Sequence, residues 1–188
     1  MEGYTADQVF EKIDFTQARL DAGQFEECRF LQCTIPDLSN RKFSQCVFDG
    51  CNLSLAKLDG SAFRDVQFKR CRMWGLLFHQ CVKFGTSFSF DDCSLNHSSF
   101  FGTKLKGTLF KDTQLHETDF SEADLTESVF DNCTLTKANF HDTLLVKADL
   151  RYAFDFVIDP AFNKVRKARF SPKGLAGLLQ QYDIVVEG

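Results

Sequence analysis

Eight cysteines, four histidines and 26 acidic residues are the groups in this 188-residue chain that could do chemistry. Cysteines and histidines at short spacing would make a metal or redox centre, and a cysteine beside a histidine a nucleophile. The spacing argues against both. Cys28, Cys33, Cys46, Cys51, Cys71, Cys93 and Cys133 each stand two residues before a large apolar residue. Cys81 keeps that phase, although Lys83 follows it. No CxxC pair occurs, and a free cysteine in a core behaves as a small hydrophobe. The eight are therefore expected to be buried, reduced thiols. His79, His97, His116 and His141 are scattered at other phases, which predicts no shared metal site. The stretch "DDCSLNHSSF" gathers Asp, Cys, His and Ser, but the phase of Cys93 commits that thiol to the interior. With no P-loop and no GxGxxG, the reading is no enzyme, no cofactor and no metal.

The carboxylates pose a different question. In "HETDFSEADLTESVFDNCTLTKANF", Glu117, Asp119, Glu122, Asp124, Glu127 and Asp131 follow one another without a single Lys or Arg before Cys133. The same stretch carries an apolar residue at every fifth position. The run extends in both directions through Phe100, Leu105, Phe110, Leu115, Phe120, Leu125, Phe130, Leu135 and Phe140. Counted from Phe10 to Leu150, with slips after Ile35 and Phe78, there are twenty-seven such positions. A helix needs apolar residues at 3.6 and a strand at 2, so five fits neither. A short regular period means an array whose units bury themselves against their neighbours. The position two before each large residue is small, as at Ala18, Ser61, Thr118, Ala123 and Ala148, so both face inward and the other three face solvent.

"SEADLTESVF" and "VKADLRYAF" resemble the pentapeptide-repeat family, whose unit reads roughly A-(D/N)-L-x-x. The resemblance covers about four fifths of the chain and implies an all-β fold, a right-handed quadrilateral parallel β-helix with five residues per side and twenty per coil. The strict alternation of Phe and Leu from 90 to 145 supports the twenty independently, because opposite sides then share a residue type. Phe110 is expected to lie between Phe90 and Phe130, in a rod of almost seven coils about 30–35 Å long. Cys51 and Cys71 stack at a spacing that would suit a disulfide, but a chain read as lacking a secretory signal is expected to keep them reduced.

Stacking also sorts the charges. Lys104 falls beside Asp124, Glu117 beside Lys137, Glu127 beside Lys147, and Lys111, Asp131 and Arg151 share a column. Asp119 and Glu122 stack on Asn139 and Asp142 without an opposite charge. Asp119, Glu122, Asp124 and Asp142 are thus the candidate acidic partner surface. The formal charge of −4 gives no footprint for direct nucleic acid binding. No apolar run spans a membrane, and the acidic N-terminus does not read as a signal peptide, so a cytoplasmic protein is expected.

The first slip, "IPDLSNRKF", reads as a turn at Pro36 and Asn40. The second, from Phe78 to Phe90, puts Lys83 where a centre residue was due and leaves Phe84 and Phe88 off phase; it reads either as a bulge or as a repacked corner. The repeat domain is placed at 1–154, followed by a C-terminal cap and dimerisation segment at 155–188. There Ser171 and Pro172 predict a helix start, with an apolar stripe of Leu175, Leu178, Leu179 and Tyr182 over 172–181. "IVV" predicts a terminal strand. "GLAGLLQQYDIVVEG" resembles the endings of Qnr-type and microcin-immunity members of the family, which join two rods end to end. That resemblance implies a homodimer through the C-terminus and a DNA-mimicking, non-enzymatic partner of DNA gyrase or topoisomerase IV that protects against quinolones or toxins. The alternative is a scaffold rod with a different protein target.

Overall fold

The computed structural model describes residues 3–182 with 184 and 185. Thirteen short strands wind one way: β1 (Gly3–Ala6), β2 (Val9–Glu11), β3 (Ala22–Glu26), β4 (Arg29–Leu31), β5 (Lys42–Ser44), β6 (Val47–Asp49), β7 (Ala62–Arg64), β8 (Val66–Lys69), β9 (Phe88–Asp91), β10 (Leu109–Lys111), β11 (Val129–Thr134), β12 (Asp149–Phe154) and β13 (Arg169–Phe170). β1, β3, β5 and β7 form one parallel sheet, the first side of the rod. The other nine form the second side, in an order that runs from β13 back to β2. The third side is a ladder of single parallel bridges, Asp14–Thr34–Asn52–Arg72–Ser94–Gln114–Thr134. The fourth contains Asp37–Lys57 and Leu77–Ser99–Asp119–Asn139, and Lys104–Asp124–Leu144–Lys164 continues the first. The result is a four-sided parallel β-solenoid of about eight turns with a short C-terminal helix.

The period of five is explained by how each side is filled. The centre residue points inward and stacks on its counterpart one coil away. The rings of Phe90 and Phe110 are 5.2 Å apart at 12°, and those of Phe110 and Phe130 are 4.8 Å apart at 4°. Across the core, Phe100 meets Phe110 edge to face at 6.0 Å. Such pairs add roughly 0.5–1.5 kcal/mol each beyond their burial. The small residue two positions earlier does more than save space. Ser128 Oγ donates to Leu105 O at 2.7 Å, Thr118 Oγ1 to Leu95 O at 3.2 Å and Cys133 Sγ to Phe110 O at 3.3 Å. Each reaches the centre carbonyl of the preceding side, one coil back. Asn163 takes the same place in the last coil, donating to Phe140 O at 2.9 Å. Among the described residues no buried side-chain nitrogen or oxygen lacks a partner, so the buried hydroxyls are not left unsatisfied.

Both slips resolve into coils of altered length. Phe25 pairs with Phe43 and Phe30 with Phe48, which makes the first a coil two residues short. Leu38, fully buried, is its fourth-side centre and accepts from Ser61 Oγ at 2.8 Å. The sequence reading passed over Leu38 because it follows Ile35 by three instead of five. The second slip is two residues long: Phe68 pairs with Phe90. Phe88 turns inward and Phe84 outward, so corner repacking and bulge are both present. This insertion sits where the phenylalanine column changes side. Phe25, Phe43 and Phe63 stack on the first side, whereas Phe78, Phe100, Phe120 and Phe140 stack on the fourth. Phe88 touches Phe63, Phe78, Phe90 and Phe100, bridging the two columns.

Past 154, where the repeat pattern fades in the sequence, parallel pairing continues: Asp149 and Leu150 of β12 lie beside Arg169 and Phe170 of β13. The C-terminal segment then packs on the last coil, with Leu178 against the core and Ile158 N donating to Gly177 O at 3.0 Å. Ser171 Oγ accepts from Gly174 N at 3.2 Å and Pro172 opens the helical run. The run is mixed, 3-10 over Pro172–Leu175, α1 over Ala176–Leu179 and 3-10 again over Gln180–Tyr182. Gly174 and Gly177 are its contact face: a Cβ at Gly177 would lie 2.1 Å from Phe156 O. The expected terminal strand is not formed at Ile184 and Val185, and Val186 lies outside the described residues.

Candidate functional site

The acidic run winds around the outside of the rod, and its members meet different fates. Glu117, Glu122 and Glu127 occupy corners with φ of 52°, 58° and 61°, the left-handed conformation each tight turn needs. Lys137 Nζ lies 3.4 Å from Glu117 Oε1, and Lys147 Nζ lies 2.7 Å from Glu127 Oε1, as the twenty-residue stacking predicts. The hydrogen bond from Lys137 holds the Glu117 carboxyl below its ordinary pKa, and Lys147 does the same for Glu127.

Two predicted pairings do not form. Lys104 stands beside Asp124 in the ladder, but its ammonium lies over the Phe84 ring, 5.2 Å from the centroid. Asp124 Oδ1 instead accepts from Thr126 N at 3.0 Å. In the other column, a register shift in β11 sets Tyr152 opposite Asp131. Arg151 therefore turns to Asp149, with Nη2 to Oδ2 at 2.8 Å, where Arg169 also arrives at 3.2 Å. Lys111 reaches Asp91 at 3.2 Å and Asp112 at 3.5 Å.

The candidate acids gather around the corner between the fourth and first sides. Asp119 lies on the fourth side, Asp124 on the first, and Glu122 and Asp142 stack on the corner, with φ of 58° and 53°. Asp119 is heavily engaged, accepting from Ser121 N at 3.0 Å, Ser121 Oγ at 2.6 Å and Asn139 Nδ2 at 3.3 Å. Glu122 and Asp142 are exposed, with His141 3.5 Å from Asp142.

At the capped end, Leu178 packs on the core and Leu179 is half-buried. Leu175 and Tyr182 remain 48% and 59% exposed, and Ile184 and Val185 are also exposed. A cleft of about 890 Å³ opens beside them, lined in part by Tyr152, Phe154, Val157 and Leu179.

All eight cysteines are free and buried. Burial pushes the thiols of Cys81 and Cys133 up to about 12. One grouping escaped the sequence reading. His97 Nδ1 and His116 Nε2 each lie 3.2 Å from the Glu117 carboxylate, one on either oxygen. They are nineteen apart, a spacing that brings a corner residue next to its neighbour's corner one coil on. Among the described residues no group of three or more such side chains has the geometry to hold a metal, and no helix is long and apolar enough to cross a membrane.

A four-sided parallel solenoid built on five-residue sides defines the class of protein. Pentapeptide repeats, in eight copies, match residues 37–75 and 113–151, and the chain is a pentapeptide-repeat protein. It is 34% identical over 73 residues to the pentapeptide repeat protein MfpA of Mycobacterium tuberculosis, a match covering 35% of this chain and 40% of MfpA. Two trypsin-treated variants of QnrB1, a plasmid-mediated fluoroquinolone resistance protein, share the fold at 17% identity. One covers 98% of this chain and 100% of the QnrB1 chain with a TM-score of 0.62, the other 97% and 99% with 0.63.

Proposed function

We propose that the chain is a non-enzymatic interaction protein of the cytoplasm whose partner is a type II topoisomerase, DNA gyrase or topoisomerase IV, bound through a DNA-like acidic corner. The observation that carries this reading is the corner itself. Glu122 and Asp142 stack in successive coils, exposed, on a rigid rod, with Asp119 and Asp124 on either side. Repeated carboxylates on a fixed lattice present charge without ordering cost, which favours association with a basic surface. The likeness to MfpA and to the QnrB1 fold agrees with it. The test is a gyrase supercoiling assay with a fluoroquinolone. Added protein should restore supercoiling, and the Glu122→Lys, Asp142→Lys double variant should not. Equal protection by both proteins, or none by the unaltered one, overturns the assignment. A second copy is proposed to join at the capped end through Leu175, Leu178, Leu179 and Tyr182.

A rod for a different protein target is the second reading. It is favoured by exposed cations on the first side that have no ion-pair partner among the described residues.

A further inference from the structure

The first side of the rod differs from the rest of this acidic protein. Reading down it, Lys42 lies on β5 and Arg64 on β7, Lys83 on the bulge and Lys104 one coil beyond. All four are exposed and none makes an ion pair within the described residues. Two of the acids on this side accept hydrogen bonds, Glu26 from the Tyr4 hydroxyl and Asp124 from Thr126 N.

The same strip carries a groove and two aromatic walls. A cleft of about 310 Å³ runs along the outer face of the β1-β3-β5-β7 sheet, floored by Ala62 and Ser44 and flanked by Lys42 and Arg64. Tyr4 closes one end at 62% exposed and Phe84 the other at 82%. Four coil steps separate these rings, roughly 19 Å at the usual inter-strand spacing. Phe84 is held out by the two-residue insertion, with the Lys104 ammonium against its ring. Beyond it a second cleft of about 420 Å³, lined by Val82, Lys83, Phe101 and Lys104 and closed by Glu122, continues the line.

We infer that this strip is a docking lane for an extended acidic segment of a partner protein, about six residues long, with apolar side chains at the two aromatic walls and carboxylates between them over Lys42 and Arg64. Charge complementarity selects the acid, since unpaired cations on one face of an otherwise acidic rod attract anions and repel basic chains. The groove is one strand wide, too narrow for a duplex. A polypeptide fits better than a single nucleic acid strand for two reasons. One face of Phe84 is occupied by Lys104, and the Glu26 carboxylate beside Tyr4 would stand in the path of a phosphate backbone. Val82 and Phe101 accept aliphatic side chains. The lane abuts the acidic corner at Glu122, but the residues that test it, Lys42, Arg64 and Phe84, lie outside that corner, so failure of the topoisomerase reading leaves it standing.

The probe is a labelled peptide in which a Leu and a Phe bracket four glutamates, followed by fluorescence anisotropy on the full chain. Micromolar binding that weakens about tenfold or more in Lys42→Glu with Arg64→Glu, weakens also in Phe84→Ala, and falls as salt rises is the expected result. Melting curves of the variants should match the parent, because these side chains point outward. If the reversal lowers the melting point, Lys42→Gln with Arg64→Gln is measured instead and should still weaken binding. Equal binding of the same peptide with lysines in place of the glutamates, tighter binding of oligothymidylate, unchanged affinity in the variants, or no binding of the acidic peptide overturns the inference.

Discussion

Phe120 is sandwiched between the parallel rings of Phe100 and Phe140 at 5.3 Å each, and meets Phe110 and Phe130 edge to face at 5.9 Å. A rod of fixed coil spacing cannot collapse around a missing ring. Phe120→Ala should therefore cost about 3–5 kcal/mol in chemical denaturation, whereas Glu122→Ala, two residues on but outward, should change stability by under about 0.5 kcal/mol. The thiols follow the same inside rule. Native protein should titrate slowly with a thiol reagent and release all eight cysteines only in denaturant; several fast thiols without denaturant would contradict their burial. This inside and outside pattern was legible because a period of five leaves each residue one position on its side. What the sequence did not announce was why Ser, Thr, Cys and Asn are interchangeable at the small inward position. The reason is a hydrogen bond to a carbonyl one coil away, as from Thr143 Oγ1 to Phe120 O at 2.9 Å, and a residue type alone does not reveal its acceptor.

The elements that depart from the repeat were harder to read, because there packing overrides spacing. Leu38 and Phe88 are both centre residues out of phase, recruited since the core must be filled even where a coil is short or long. The charge columns failed at Asp131 for a similar reason, a register shift that periodicity cannot foresee. The helix start at Ser171 and Pro172 was legible from capping chemistry, but the part played by the glycines of "GLAGLL" was not. Their role yields a prediction of unexpected sign. In a free helix Gly177→Ala would gain about 1 kcal/mol in propensity. Here the new methyl would meet Phe156 O and its ring, so the substitution should instead cost about 1–3 kcal/mol and loosen the cap. Trypsin should then cut faster at Lys173. Gly102→Ala is the control: its Cβ meets nothing, and only the left-handed backbone, φ 59°, exacts about 1–2 kcal/mol. The last coils also carry a pH signature. Hydrogen bonds from Arg151 hold the Asp149 carboxyl below its ordinary value. A depressed carboxylate stabilises the fold above its unfolded pKa near 4, and that contribution is lost as pH falls through the folded value. Asp149→Asn should destabilise at neutral pH by no more than about 1 kcal/mol in this partly solvated site. The two proteins should converge once pH falls below that depressed folded value. An unchanged gap across that range would show that Asp149 acts other than through its charge.

At the scale of the whole molecule, a solenoid has two ends, and an open end exposes both core and unpaired strand. The C-terminal end solves the first problem with Phe156, Ile158 and the glycine face of the helical run, where Ile158 N donates to Gly177 O at 3.0 Å. It leaves a surplus. Leu175, Tyr182, Ile184 and Val185 stay exposed beside a cleft lined by Tyr152, Phe154 and Val157, more apolar surface than a cap requires. A two-fold partner bringing the same patch would cover it, as is usual for homodimers. Light scattering should therefore give twice the mass of one chain at micromolar concentration. Leu175→Glu with Tyr182→Glu should give a folded monomer with little change in melting temperature, since neither side chain is part of the core. Leu178→Glu should lower the melting temperature as well, because Leu178 packs on the core from the helix's inner side. A monomer for the unaltered chain would leave the segment as a cap alone. Dissociation in both variants with equal loss of stability would mean that capping and association cannot be separated at this end of the rod.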